Sequence, residues 1–328
     1  MSGPGEAAAG VPRTAGAERG GPATWLRRAQ HLLVFLVLVL LSTTLSEYFL
    51  TLENVMNILR QVAVVGLLAI GATFVVISGG VDLSVGGVAA LGSVVVALTA
   101  GWPLPLVLGL PLAIGTVMGF ANGVIILRLG IQPFIVTLAT GSIAEGVAFY
   151  LSDGNPIRFE NAMVTGLGKG YLGPLPVPGL IFLTAIVAAG LVLSRSVYGY
   201  AVYALGGNEE AARLSGMPII RYRVITYTLG GALGGLGGLV LAGRVGIGDP
   251  TVGAGFGLAL DAVTPVLIGG TDLVGGSGTM VGTFFGVLIV GMLNNIFNLL
   301  SVTAYWQMVA KGGIILLAVY LGYRQARH

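Results

Sequence analysis

The chain has 328 residues, of which only 29 are charged, 16 basic and 13 acidic. That 9% compares with roughly 25% in soluble domains, while hydrophobic residues make up 55% and the mean hydropathy is +0.94. So few polar residues exclude a soluble domain. So many apolar ones exclude a disordered chain, and 55 glycines without a three-residue period exclude collagen.

Residues 1–28 are rich in Gly, Ala, Pro and Arg and read as a disordered tail. A signal peptide is disfavoured: the first apolar run starts near residue 31, is about as long as a bilayer requires, and lacks an A-x-A site. That run, 32–45, is the first predicted span. Residues 51–61 (TLENVMNILRQ) set apolar positions among polar ones and suit a short interfacial helix. Further spans are predicted at 62–78, 85–100, 104–127 and 133–151. A polar loop at 152–178 holds five glycines and four prolines. Then come 179–194, 224–242, 258–270, 280–300 and 304–322, with 258–270 short enough to be tilted, broken or not a crossing.

These runs predict an all-α polytopic membrane protein with about ten (8–10) transmembrane helices. An even number puts both termini on one side. With ten crossings, eleven basic residues share the side of the tail: Arg13, Arg19, Arg27, Arg28, Arg128, Arg195, Arg213, Arg221, Arg223, Arg324 and Arg327. Four lie opposite, Arg60, Arg158, Lys169 and Arg244, and Lys311 falls within a span. The bias argues for cytoplasmic termini. It explains the net charge of +3 without a nucleic acid partner. The domain reading is a tail at 1–28, a transmembrane domain at 29–323 with a cytoplasmic loop at 195–223, and a short tail at 324–328.

Small residues recur every four positions at Gly115/Gly119/Gly123, Gly230/Gly234/Gly238 and Gly282/Gly286. Such faces let helix backbones approach closely in lipid. They serve packing, or sliding during a conformational cycle.

Four features carry chemistry. GGVDL at 79–83 and GGTDL at 269–273 form a near-repeat at helix breaks, as in the related halves of transporters. Asp82, Asp272, Glu145, Asp261 and Lys311 lie near apolar sequence, where a charge is costly. Asp82 and Asp272 read as helix N-caps or as substrate contacts. Lys311 reads as an interhelical ion pair, a snorkelling side chain or a substrate contact. The amides of Asn122, Gln132, Asn294, Asn295 and Asn298 suit helix–helix bonds or hydroxyl groups in a pathway. Substrate-pathway candidates are thus Asp82, Asn122, Gln132, Asp272, Asn294 and Asn295.

The fourth feature is the most specific. Gly207-Asn208-Glu209-Glu210-Ala211-Ala212-Arg213, with Gly216 and Pro218 beyond, predicts a short helix. Its acids come first and its arginine last, as the helix dipole favours. The stretch Glu210 to Gly216 (E-A-A-x-x-x-G) resembles the cytoplasmic loop of ABC importer permeases. Ala204 through Gly216 resembles its form in simple-sugar permeases of the ribose, xylose and galactose type. ISGGVDLSVG at 77–86, LGIQPFIVTL at 129–138, Gly269 to Gly276, Leu293-Asn294-Asn295 and Tyr305-Trp306-Gln307-Met308 follow in family order, so the resemblance covers about 47–322.

The resemblance implies an ABC importer permease fold in the bacterial cytoplasmic membrane. It implies docking of an ABC ATPase subunit at Gly207, Asn208, Glu209, Glu210, Ala211, Ala212, Arg213 and Gly216. It also implies a second permease copy or paralogue and an extracytoplasmic sugar-binding protein. No cofactor is expected in this chain, with ATP and Mg held by the partner ATPase. In agreement, no G-x-x-x-x-G-K-[ST] loop occurs in the sequence. Importer relatives for nucleosides, autoinducer-type sugars or branched-chain amino acids stay open as substrate classes. Outside the importer class, a secondary transporter or channel would use Asp82, Lys311 and Asp272 for ions. A membrane enzyme is disfavoured by the absence of Cys and the presence of only two His.

Overall fold

The computed structural model describes residues 22–326, and it is mostly helical. In chain order come α1 (Pro22–Leu45), α2 (Leu52–Ile77), α3 (Val85–Leu98), α4 (Leu104–Leu129) and α5 (Pro133–Leu151). The segment between α5 and α7 carries β1 (Ile157–Arg158), α6 (Ala162–Lys169), β2 (Tyr171–Leu172) and β3 (Leu175–Pro176). Then follow α7 (Val177–Arg195), α8 (Val197–Gly207), α9 (Glu209–Leu214) and α10 (Ile219–Val245). After α10 come β4 (Ile247–Gly248), a 3-10 segment (Pro250–Phe256), α11 (Gly257–Ile268), α12 (Met280–Leu299) and α13 (Ala304–Ala326). The strands form two antiparallel two-residue pairs, β1 with β4 and β2 with β3.

Six helices among the described residues are long and apolar enough to cross a membrane: α2, α4, α5, α7, α10 and α12. The apolar helices at Leu32–Leu45, Val85–Leu98 and Gly257–Ile268 are shorter. The expected tail at 1–28 lies outside the described residues as far as 21, and α1 takes up the rest from Pro22. At the other end α13 runs to Ala326, and residues 327 and 328 of the expected tail lie outside the described residues.

Two sequence expectations change. The interfacial helix at 51–61 and the span after it are one 26-residue helix, α2. Thr51 caps it, its hydroxyl accepting from the Asn54 amide at 3.3 Å, and no breaker separates Gln61 from Val62. Asn54 near its start is satisfied by a tertiary partner, Asn295 of α12, which local periodicity cannot reveal. Second, the loop at 152–178 contains α6. Asn161 caps it with its side-chain oxygen on the amides of Met163 and Val164.

The core is built around α2 and α10. On α4, Gly115 sits against the Gly231 backbone of α10, Gly119 against Tyr227, and Gly123 against Val224. A second face of α10, Gly230, Gly234 and Gly238, meets Gly71 of α2 and Val88 and Ala89 of α3. The 230/234/238 stripe is legible in sequence as a packing face. The 231/235 stripe against α4 is not, because its continuation runs through Tyr227 and Val224. On α12, Gly282 and Gly286 lie on Gly269 and on Pro265 of α11.

Polar pairs fix α2 to α12. Asn54 and Asn295 exchange side-chain amide bonds at 2.9 and 2.8 Å, and the Thr73 and Thr283 hydroxyls meet at 2.7 Å. Phe182 of α7 fills the space over Gly66 of α2 and stacks on Phe284 of α12.

The glycine seam gives a direct expectation. Gly231→Leu should destabilise the fold by about 1–3 kcal/mol through overpacking, seen as a lowered melting temperature of the detergent-purified chain. Gly109→Ala, at a glycine with open space around it, should be neutral or slightly stabilising. Equal melting of the two variants would contradict the seam.

Candidate functional site

The short helix expected from the Asn208–Gly216 stretch is present as α9, residues Glu209–Leu214. Asn208 caps it, with Oδ1 accepting from the Ala211 amide at 2.9 Å. Its end is set by Gly216, whose φ of +78° is left-handed and favours a residue without Cβ. Only the Ala212 methyl is buried, packed with Leu205 of α8 and Ile219 of α10. Gly207, Asn208, Glu209, Glu210, Ala211, Arg213 and Gly216 are exposed. Leu214 is 79% exposed, an apolar side chain with nothing over it in the single chain.

Two ion pairs shape this helix. Glu210 and Arg213 pair along it at 2.6 Å, and the Glu210 carboxylate pushes the Arg213 guanidinium further up its already basic range. Both are open to solvent, so the pair adds little stability and presents an ordered acid-then-base surface. Glu209 reaches Arg223 of α10 at 2.7 Å. The same Nη2 of Arg223 donates to the Ser78 carbonyl at the end of α2 at 3.3 Å. Arg223 therefore ties α9 to the C-terminus of α2.

That C-terminus is also where the glycines just after the second near-repeat pack. The Gly276 amide donates to the Ile77 carbonyl at 2.8 Å, Gly275 packs on Gly79, and Gly206 lies against Ile77 and Gly276. Gly79 has φ +79° and Gly275 φ +99°. Backbone contacts at this range admit no side chain. The ends of α2 and α8 and the α11–α12 connection thus form one junction beside α9.

The six pathway candidates do not gather in one place. Asp82 and Asn122 come together through Ser84. Asp82 Oδ1 accepts from the Ser84 amide and hydroxyl at 2.8 and 2.6 Å, and Asn122 Nδ2 donates to the Ser84 hydroxyl at 2.9 Å. At 2% and 0% exposure they strap α4 to the turn before α3 and line no open cavity. Asp82 Oδ2 and Asn122 Oδ1 lack hydrogen-bond partners among the described residues. Asn295, 3% exposed, is taken up by Asn54. Gln132 stands exposed at the N-cap position of α5.

Asp272 accepts from the Val274 amide at 3.0 Å inside its own loop. Its expected capping role falls instead to Thr279, which accepts from the Gly282 amide at the start of α12. Asn294 is half-buried and borders the Lys311–Asp261 ion pair, 3.2 Å long, which joins α13 to α11. The interhelical reading of Lys311 is thus the one observed.

Sequence reasoning misses α8, Arg223 and the exposure of Leu214. The signal for α8 is the apolar set Val197, Tyr198, Ala201, Val202 and Leu205 inside the basic loop. Arg223 cannot be singled out from Arg195 and Arg221 beside it.

A family model described as branched-chain amino acid transport system / permease component matches residues 54–319. The ribose import permease protein of Bacillus subtilis (strain 168) is 42% identical over 87% of this chain and 89% of its own. That of Haemophilus influenzae is 38% identical over 91% and 95%. The L-arabinose ABC transporter permease protein of Azospirillum brasilense is 36% identical over 92% and 89%. No solved structure matches the chain.

The amide pair provides a test of structural against pathway roles. Asn295→Ala leaves Asn54 partly unsatisfied and should cost about 1–3 kcal/mol. The joint change Asn54→Leu with Asn295→Leu should recover part of that loss, read from melting of the purified variants. An Asn295→Ala protein that melts like the parent would remove the structural role assigned to the pair.

Proposed function

The chain belongs to the ABC importer permeases grouped as branched-chain amino acid transport system / permease components, and from that premise we propose that it is the membrane-spanning subunit of an ATP-driven importer for a monosaccharide. The relatives named for ribose and L-arabinose, matched along nearly their whole length, support the substrate class.

In this reading the chain sits in the bacterial cytoplasmic membrane with about ten (8–10) crossings and both termini in the cytoplasm. It pairs with a second copy or a paralogue. An extracytoplasmic binding protein delivers the sugar, and a cytoplasmic ATPase holding ATP and Mg drives the cycle.

The observation that carries the mechanism is the tie from α9 through Arg223 to Ser78. The exposed Glu210, Arg213 and Leu214 are the surface that the ATPase takes. When the ATPase closes, α9 moves as a capped rigid piece. Arg223 passes that displacement to the end of α2 and to the glycine junction, where the backbones of α2, α8 and the α11–α12 connection already touch. The route needs no covalent chemistry in this chain. Asp82, Asn122 and Asn295 act in it as struts, and among the pathway candidates Asn294, Asp272 and Gln132 are the accessible ones.

Two variants separate docking from transmission. Glu210→Lys with Arg213→Glu keeps an i,i+3 ion pair and the Asn208 cap, so α9 survives while its charge order is reversed. The ATPase should no longer co-purify, and transport in proteoliposomes with ATPase and binding protein should fall at least about tenfold. Persistent co-purification together with undiminished transport would dispose of α9 as the docking element. Arg223→Gln should retain the ATPase yet lower transport per ATP hydrolysed, and unchanged coupling in that variant would dismiss the tie as a transmission route.

A further inference from the structure

At the end of α10 remote from α9, a cavity of about 310 Å³ is lined by Asn57, Arg60 and Gln61 of α2, Lys169 at the end of α6 and Arg244 in the last turn of α10. Three cations from three elements converge there, and no carboxylate lines the space. Among the described residues, none of the three takes part in an ion pair. Their hydrogen bonds go to neutral acceptors: Arg60 Nη2 to Asn57 Oδ1 at 2.9 Å, and Arg244 Nη1 to the Gln61 carbonyl at 3.1 Å.

Long cationic side chains usually relieve mutual repulsion by swinging into water. Here the two guanidiniums are held in place by α2. Lys169 and Arg244 are brought near each other by the direct backbone contact of Gly168 with Gly243 and Arg244. The arrangement is a preorganised positive cavity without its counter-charge.

We propose that this cavity binds the phosphate group of an anionic ligand. Guanidinium N–H groups match phosphate oxygens in planar, bidentate fashion, and an ammonium adds a point charge. A free phosphate or phosphate monoester carries about two negative charges, and a lipid phosphodiester carries one, shared by two unesterified oxygens that two guanidiniums can bond at once. The phosphate has two possible sources, a free phosphate-bearing solute or an anionic lipid headgroup, since the cavity borders membrane-spanning helices. The site stands apart from the α9 junction and does not depend on which sugar the chain moves.

The experiment uses the full chain in uncharged detergent, dialysed to equilibrium against radiolabelled inorganic phosphate. In parallel, nanodiscs of phosphatidylcholine with and without phosphatidylglycerol are examined by native mass spectrometry for retained lipid. Saturable phosphate binding that Arg60→Gln or Lys169→Glu weakens at least about tenfold supports the site with a soluble ligand. Selective retention of phosphatidylglycerol, lost in the same variants, supports it with a headgroup. Lys169 is exposed, so Lys169→Glu should melt like the parent, and Arg60→Gln provides a second, charge-neutral probe. A chain that takes up neither probe, or takes up both as well in Arg60→Gln and Lys169→Glu as in the parent, overturns the proposal.

Discussion

Inside a bilayer no water is present to satisfy a peptide group, so every span must close its own hydrogen bonds and then find a reason to touch its neighbours. In this chain that reason is backbone-to-backbone contact along α10. Glycines on two of its faces let α4 on one side and α2 and α3 on the other come within reach of dispersion forces. The carbonyls of Gly115 and Gly231 lie where side chains would otherwise stand. Such a centre leaves little space for polar groups, and the charged side chains of α10 itself, Arg221, Arg223 and Arg244, stand near its two ends.

The two ends of α10 carry opposite kinds of charge arrangement. Near its start, Arg223 is neutralised by Glu209 and anchored on the end of α2. Near its finish, Arg244 shares a cavity with Arg60 and Lys169 and has no acidic partner among the lining residues. One end is thus a closed mechanical joint and the other an open electrostatic one. Arg60, Lys169 and Arg244, three of the four basic residues that the sequence sets opposite the majority, share the second end, and Arg158 joins it through the pairing of β1 with β4.

Much of this is readable in the chain itself, for definite reasons. The long spans are visible because an apolar run of membrane length has no stable place in water and matches the thickness of a bilayer. Helix α9 is visible because its cap, its charge order and its terminator all occur within nine residues, Asn208 to Gly216. Burial is not visible. Asn122 and Asn294 look alike in sequence, yet one is sealed against Ser84 and the other is half-open. That difference depends on which helix lies opposite, information that no local pattern holds. The same limit hides the Gly231 face of α10, which borrows Tyr227 and Val224 for its length, and makes the start of α2 look like a separate interfacial helix. The near-repeat is informative in an unexpected way. Its two copies do not present equivalent carboxylates, since Asp82 is buried under Ser84 and Asp272 stays within its own loop. What they share is glycine geometry, with Gly79 and Gly270 at left-handed φ of +79° and +81°.

The polar pairs between α2 and α12 bear on how the protein can move. Asn54–Asn295 and Thr73–Thr283 clamp the two helices at well-separated heights. A plank fixed by a single nail swivels, while one fixed by two does not. Helices α2 and α12 should therefore travel as one girder, and any rocking within the chain is left to the glycine-lined faces of α10.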